Sequence, residues 1–312
     1  MAEFHTTRRR FLKGAAAALA AAPIAAAEAE TDPLPPPKEK LPMGRIGDQE
    51  FSRLMLGGNL ISGYAHSRDL RYVAQLMRHY NTKAKILETL EIAEIHGINA
   101  VNLAVWDDTS FLQEHWRRGG KMKLIAQAVP GDKGELDQFK KAVDIGAAAV
   151  HIQGHGSEKL WEAGRAEEIG RIVEYIKSQK VLAGVAAHAL EVIVECEKAG
   201  VDPDFYQKTL HTLDYCSAPP PNQRKHYLGR CDNMWCNNPE EVIEFMHMVK
   251  KPWIAFKVMA AGAIHPARAF RHAFNSGADF VLAGMFDWQV AEDVKFAREA
   301  IVSAQRIRPW RS

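Results

Sequence analysis

The sequence predicts a (β/α)8 or TIM barrel, the α/β fold in which eight parallel strands close into a ring inside a layer of helices. Short apolar runs alternate with amphipathic stretches eight times along the chain. The apolar runs contain few polar residues, as is typical of parallel strands covered on both faces. An open doubly wound sheet is the alternative, but no G-x-G-x-x-G motif follows the first run. These observations favour one closed barrel.

The strands and helices of this barrel are predicted as follows. The apolar runs that form the strands are 53–61, 100–105, 124–129, 148–153, 182–188, 205–210, 253–259 and 280–286. Apolar residues spaced by three and four predict helices at 85–96, 135–144, 167–178, 190–199, 239–250, 265–275 and 289–304. Two longer segments, 62–80 and 212–237, follow strands one and six. Long connections after barrel strands lie at the end where such barrels carry their sites.

The first 29 residues predict export. The run T-R-R-R-F-L-K from Thr7 to Lys13 resembles the bacterial twin-arginine signal, and an Ala-rich stretch with small residues suited to cleavage follows it. That stretch is too short and too rich in alanine for a transmembrane helix. We therefore expect a signal at 1–29, a Pro-rich linker at 30–42 and one barrel domain at 43–312. The expected partner in export is the twin-arginine translocase, and the expected location is the periplasm.

The charge balance of the mature chain excludes some classes of partner. Four of the 40 Lys and Arg residues and two of the 38 Asp and Glu residues lie before residue 30, so the remainder has no formal net charge. A neutral chain offers no electrostatic reason to bind nucleic acid or an anionic membrane. We expect a small-molecule substrate, no nucleic acid and no stable membrane association after cleavage.

The four cysteines predict at most one disulfide. Cys196 occupies an apolar helical position and is expected to be a buried thiol, whereas a disulfide among Cys216, Cys231 and Cys236 is compatible with an oxidising compartment. No C-x-x-C pair is present, which disfavours a zinc ribbon or a thioredoxin-like site.

Both ends of the predicted barrel resemble the aldo/keto reductase superfamily. The segments 43–47 and 51–59 resemble that family's N-terminal hairpin and first strand, and 87–99 resembles its first helix and the turn into strand two. The segments 252–262 and 280–294 are similar to its strand seven, strand eight and last helix. The resemblance covers about residues 43–301 and implies the family's barrel.

The resemblance does not extend to the family's catalytic positions. Asn102 stands where the family has an aspartate, Asp107 replaces its tyrosine, and Ala128 replaces its lysine. The family's histidine is matched approximately by His151 or His155. Reduction of a carbonyl by hydride transfer needs a proton donor with a lowered pKa, so NADP-dependent reduction is the less favoured chemistry.

Polar residues at the carboxyl ends of the strands predict a different active site. Lys208, His211, Lys257 and Asp287 are the candidate catalytic residues, with either lysine acting as a general base or a Schiff-base amine after desolvation. A structural ion pair with Asp287 or Asp214 is the alternative for these lysines. A divalent metal held by His155, His188 and His211 is a second candidate centre, although no H-E-x-x-H motif supports it.

Amide, imidazole and indole groups predict a carbohydrate-like ligand. The candidate substrate-binding residues are Asn59, Asn102, Asp107, His151, Gln153, Asp232, Asn233 and Trp235. The favoured hypothesis is an exported enzyme that acts by proton transfer, as an isomerase or lyase, on a small carbohydrate or polyol carbonyl compound. The alternatives are an NADP-dependent oxidoreductase with a rearranged site and a non-catalytic ligand-binding barrel.

Overall fold

The computed structural model describes residues 39–224 and 233–312. The predicted export signal, most of the predicted linker, Cys231 and Asp232 lie outside the described residues. Among the described cysteines, Cys196 and Cys236 are buried free thiols and Cys216 is an exposed one. No disulfide therefore joins Cys216 to Cys236.

Eight parallel strands close into a barrel, as the sequence predicted. A short antiparallel hairpin, β1 (Met43–Ile46) with β2 (Gln49–Ser52), precedes it. The barrel strands are β3 (Leu54–Gly57), β4 (Ala100–Ala104), β5 (Lys123–Ala128), β6 (Ala149–Ile152), β7 (Leu182–Ala187), β8 (Phe205–Thr209), β9 (Trp253–Phe256) and β10 (Phe280–Ala283). Neighbours in the chain are neighbours in the ring, and β10 pairs with β3 to close it.

Helices surround this ring. They are α1 (Asn59–Ser62), α2 (Tyr72–Tyr80), α3 (Lys83–Ile95), α4 (Ser110–Arg117), α5 (Asp137–Ile145), α6 (Gly154–Glu162), α7 (Glu167–Ser178), α8 (Leu190–Lys198), α9 (Pro239–Met248), α10 (Pro266–Asn275) and α11 (Asp287–Val302). The short helices α1, α2, α4 and α6 were not predicted from the sequence. Among the described residues, no helix is long and apolar enough to cross a membrane.

Three strands end at least three residues earlier than the apolar runs predicted; one of them, the run 280–286, is strand only to Ala283. The run 53–61 is strand only to Gly57, because the chain then passes against β4: a Cβ at Gly58 would lie 2.4 Å from the carbonyl oxygen of Asn102. The run 253–259 is strand only to Phe256. Lys257 follows in the left-handed region with a φ of 57°, which costs an L-residue about 1–2 kcal/mol.

The apolar core has two layers. One fills the space between strands and helices, and the other fills the barrel interior. Ile46 and Phe51 of the hairpin belong to the interior layer and pack with Phe205 and Phe280, the first residues of β8 and β10. The hairpin thus closes the amino-terminal end of the barrel and leaves the polar groups to the other end.

Candidate active site

A cavity of about 610 Å³ lies at the carboxyl end of the barrel. Its volume falls within the range of small-molecule sites, about 300–1,000 Å³. Eight of the predicted site residues line it: Asn59, Asn102, His151, Gln153, His155, His188, Trp235 and Lys257. We call it the inner cavity.

The floor of the inner cavity is a chain of amide and imidazole groups. Gln127 donates from Nε2 to Oδ1 of Asn102 at 2.6 Å, and Asn102 donates from Nδ2 to Nε2 of His151 at 2.9 Å. Nδ1 of His151 lies 3.1 Å from the carbonyl oxygen of Ile152, which assigns its proton to Nδ1. Burial lowers the pKa of His151 to about 4. The floor is therefore neutral and already hydrogen-bonded.

A buried carboxylate holds His188 at the wall of the inner cavity. Nδ1 of His188 lies 3.1 Å from both carboxylate oxygens of Glu158, a residue of α6. The backbone N–H groups of His188 and Ala189 also donate to Oε1 of Glu158. Burial lowers the pKa of His188 well below its ordinary value, and Lys257 adds to the effect. A neutral imidazole with its proton on Nδ1, directed at Glu158, satisfies this geometry.

Lys257 lies in the same cavity against Trp235. Its Nζ is 3.8 Å from the centre of the Trp235 ring and 3.0 Å from Nε2 of His66. An ammonium over an indole face is stabilised by the ring quadrupole, and here it also lies within hydrogen-bond distance of the His66 ring. Trp235 and His66 together keep this cation at the cavity surface.

The inner cavity is positive or neutral in character. Lys257 is its one formally charged lining side chain, and no carboxylate lines it, among the described residues. Glu158 is 1% exposed and reaches the cavity only through His188. A ligand here meets one ammonium group, four histidines and several side-chain amides.

The structure also brings together three groups suited to a metal. Ligand atoms of His155, Glu158 and His188 all lie within 4.8 Å of one another. Glu158 already accepts two backbone N–H groups and the His188 ring proton. A carboxylate in that position is typical of the group that orients a functional histidine. The predicted third ligand, His211, is not part of this cluster.

Lys208 does not lie in the inner cavity, contrary to the prediction. Side chains alternate along a strand: Phe205 packs inside the barrel, whereas Tyr206 and Leu210 pack outside it. Lys208 shares the outer face and is fully buried, with Nζ donating to Oγ1 of Thr209 at 2.8 Å. Burial lowers its pKa. It supports the strand end and is not placed to touch a ligand.

His211 is also a structural group in this arrangement. Its Nε2 accepts the backbone N–H groups of Trp235 and Cys236, both at 3.0 Å. Its Nδ1 lies 2.9 Å from the carbonyl oxygen of Thr212, so the proton lies on Nδ1. Burial lowers the pKa of His211 to about 4. Both ring nitrogens are used in these contacts, and His211, predicted as an acid–base group and metal ligand, lies outside the described lining of the inner cavity.

Three further predicted residues lie outside the inner cavity. Asp287, one of the predicted catalytic residues, begins α11 and accepts hydrogen bonds from Tyr80 at 2.7 Å and Lys85 at 3.1 Å, so it joins helices. Asp107 accepts a hydrogen bond from the Tyr64 hydroxyl at 2.9 Å. Asn233 donates to Ser217 at 2.8 Å. Each of these side chains contacts a neighbouring loop or helix, although Oδ2 of Asp107 and Oδ1 of Asn233 have no hydrogen-bond partner among the described residues.

Sequence reasoning missed Glu158 and His66 as site residues. Glu158 follows His155 by three residues, which places the two on one face of a helix. That spacing could have indicated the pair, but Gly154 and Gly156 disfavour a helix, so this helix was not predicted. His66 lies in the segment 62–80 and was recognised only as part of a loop at the correct end.

Comparison with known proteins supports the fold. No protein-family model matches the chain, and no curated protein matches it. A solved structure described as an aldo-keto reductase from Pseudomonas aeruginosa is similar, with a TM-score of 0.56 at 15% identity over 85% of this chain and 98% of that one. An aldo/keto reductase from Brucella melitensis has a TM-score of 0.48 at 12% identity over 84% of this chain and 99% of that one. The protein is thus a (β/α)8 barrel of aldo/keto reductase-like architecture, and at these identities the likeness concerns the fold alone.

Proposed function

We propose that this barrel is an exported enzyme that moves a proton between carbon atoms of a small, carbohydrate-like carbonyl compound. The observation that carries the proposal is the Glu158–His188 pair in the cavity that also holds Lys257. A base beside one carbon atom and a cation for the carbonyl oxygen are the two groups that such a proton transfer needs.

His188 is the proposed base. Glu158 accepts a hydrogen bond from the protonated Nδ1, so Nε2 carries the basic lone pair. The lowered pKa keeps the ring neutral, and therefore able to accept a proton, at neutral pH. When the ring becomes an imidazolium, the Glu158 carboxylate stabilises the new charge, as a buried carboxylate does in hydrolase triads.

Lys257 is the proposed partner of the carbonyl oxygen. Removal of the proton from the carbon next to the carbonyl leaves an enolate, whose negative charge lies on that oxygen. The ammonium of Lys257 stabilises this charge. Return of the proton from His188 to the former carbonyl carbon completes an isomerisation when the adjacent hydroxyl loses its proton and the former carbonyl oxygen gains one. Departure of a hydroxyl from the carbon beyond, as water formed with the proton on His188, completes an elimination instead.

Amide and aromatic groups in the inner cavity support a polyhydroxylated substrate. Asn59, Gln153 and Gln207 supply amide groups that both donate and accept hydrogen bonds, as hydroxyls require. Trp235 supplies an apolar ring face for the carbon skeleton.

Exchange of substrate hydrogen with solvent tests the proposal. Purified protein is incubated in D₂O with a panel of aldoses and ketoses, and deuterium entry beside the carbonyl is followed by NMR. We expect exchange with the wild-type protein and a loss of at least about 100-fold in His188→Asn, since general-base catalysis contributes about 10²–10⁴-fold. His79→Asn is the matched control, because His79 is an exposed histidine on α2. Equal exchange in both variants refutes the role of His188.

A metal-assisted reaction is the second candidate, favoured by the proximity of His155, Glu158 and His188. It predicts that metal analysis of purified protein finds a stoichiometric divalent ion and that a chelator abolishes exchange. The proton-transfer proposal without metal predicts exchange that a chelator leaves unchanged.

The cavity does not fit the reductase alternative. Tyr64 is the one tyrosine among the described lining residues, and its hydroxyl donates to Asp107 and accepts from Trp106. Burial raises the pKa of Tyr64, whereas reduction with a nicotinamide needs a donor whose pKa is lowered. We expect no NADPH consumption with simple aldehydes. A non-catalytic binding barrel would bind sugars without any exchange.

Export is part of the proposal and is supported by the twin-arginine pattern at 1–29. Fractionation of cells that express the full chain tests it. We expect a shortened product in the periplasm, and its retention in the cytoplasm when Arg8, Arg9 and Arg10 are all replaced by Lys.

A further inference from the structure

A second cavity of about 510 Å³ adjoins the inner cavity at the carboxyl ends of β5 and β6. We call it the outer cavity. Val129, Pro130 and Asp132 form a loop wall, and Gly156 and Lys159 of α6 lie on the other side. Its lining is more strongly charged than that of the inner cavity, with Asp132, Lys159 and Arg165 among the contributors.

The two cavities share a boundary of three side chains: Trp106, Gln153 and His155 line both. Trp106 is 42% exposed, and its indole N–H donates to the Tyr64 hydroxyl at 3.1 Å. Gln153 caps α6 by accepting the N–H of Gly156 at 3.2 Å. Hydrogen bonds thus hold Trp106 and Gln153, two of the three side chains that the cavities share.

Lys159 is the cation of the outer cavity that is available to a ligand. Arg165 is held by Glu168 through contacts of 2.5 and 2.9 Å, which neutralise its charge. Lys159 is exposed, and it forms no ion pair with any described residue. Asp132 belongs to the loop wall, so we place a bound anion on the α6 side. The amino end of α6 lies at the boundary and adds positive potential there.

From this arrangement we infer that the substrate of the proposed reaction carries an anionic group at the end remote from its carbonyl, and that this group is bound by Lys159 in the outer cavity. The inference rests on the proposed function for the placement of the carbonyl in the inner cavity. The chemistry of the anion is a carboxylate or a phosphate, since both accept hydrogen bonds from an ammonium. With a neutral sugar bound in the inner cavity, the outer cavity would contain only water.

Binding to three sugars of matched chemistry tests this inference. D-ribose has no charged group, D-glucuronate has a terminal carboxylate, and D-ribose 5-phosphate has a terminal phosphate. Their affinities are measured by calorimetry on the mature chain carrying His188→Asn, so that no turnover is required. We expect at least one of the two anionic sugars to bind about tenfold more tightly than ribose, and the tighter of the two identifies the anion.

Charge reversal at Lys159 provides the decisive comparison. We expect Lys159→Glu to weaken the binding of the preferred anionic sugar about five- to tenfold and to leave the affinity for ribose unchanged. Lys295→Glu is the matched control, because Lys295 is an exposed lysine on α11 outside both cavities. Equal affinities for all three sugars, absence of binding by all three, or no effect of Lys159→Glu would each overturn the inference.

The outcomes separate this inference from the proposed function. Anion binding that depends on Lys159, without hydrogen exchange in the wild-type protein, contradicts the proposed function alone. Hydrogen exchange with ribose and no preference for an anionic sugar contradicts this inference alone.

Discussion

Glu158 binds both the ring and the backbone of His188. Its carboxylate lies 3.1 Å from Nδ1 of the ring and also accepts the backbone N–H of the same residue. A single carboxylate on α6 therefore sets the position of the strand end β7 and the orientation of the imidazole that follows it. Because both contacts use carboxylate oxygens as acceptors, an amide of equal size, which also donates, should disturb the ring.

Glu158→Gln is expected to lower the rate of substrate hydrogen exchange about 100-fold or more while the protein stays folded. An amide donates as well as accepts, so the ring is no longer held with its proton on Nδ1. In hydrolase triads the equivalent change costs about 10⁴-fold. The measurement is NMR exchange with circular dichroism as the check on folding, and Glu167→Gln on the exposed face of α7 is the control. Exchange at the wild-type rate would show that Glu158 only supports the fold.

Two substitutions of Lys257 distinguish the catalytic effect of its ammonium group from the backbone strain at this position. Lys257→Met and Lys257→Gly both remove the ammonium, so both should abolish exchange. Only glycine relieves the left-handed backbone with its φ of 57°. We expect Lys257→Gly to exceed Lys257→Met by about 1 kcal/mol in free energy of unfolding. Denaturant titration measures this difference, and a less stable glycine variant would contradict the assignment of strain.

His211→Ala should destabilise the protein by about 2–4 kcal/mol, because two buried backbone N–H groups lose their acceptor. The loss should also release the segment that carries Trp235 and raise KM. His79→Ala is the control on an exposed histidine. If His211→Ala kept wild-type stability and lost only turnover, the result would support the catalytic role that the sequence predicted for His211.

Asp293 should make stability depend on pH. It is 3% exposed, and its Oδ2 has no hydrogen-bond partner among the described residues. Burial raises its pKa to about 7. The folded state then binds more protons than the unfolded state between about pH 4 and pH 7, so stability falls as the pH rises through that window. Asp293→Asn removes this contribution.

Urea unfolding of wild type and Asp293→Asn at pH 5 and pH 8 measures the effect. We expect the variant to be more stable at pH 8, by up to a few kcal/mol, with a smaller difference at pH 5. Glu158, whose pKa burial also raises to about 7, contributes equally to both proteins and cancels in the comparison. A difference that is independent of pH would contradict a buried carboxyl with a raised pKa.

The alternation of apolar runs was sufficient to predict all eight barrel strands, because a strand buried on both faces leaves a continuous apolar signal. It was not sufficient to predict which side chains face the barrel interior. Lys208 and Gln207 are adjacent, and a shift of one residue exchanges their faces. His155, His188 and Lys257 were placed correctly because they lie at or beyond strand ends, where position along the strand matters more than face.

The groups that complete the site could not be predicted from strand ends at all. Glu158 acts from a helix, and its importance depends on a contact with a residue 30 positions later in the chain. His66 meets Lys257 across 191 positions. Local sequence patterns carry no information about such pairings, which arise only when the ring closes.

The hairpin formed by β1 and β2 gives the barrel a closed end. Ile46 and Phe51 fill the interior at the amino-terminal side, and among the described residues no hairpin side chain lines either cavity. Under the proposed function, substrate and product would therefore share the mouth at the carboxyl end of the barrel. A product that remained in the outer cavity would delay the next substrate, and its release would set the order in which successive molecules exchange.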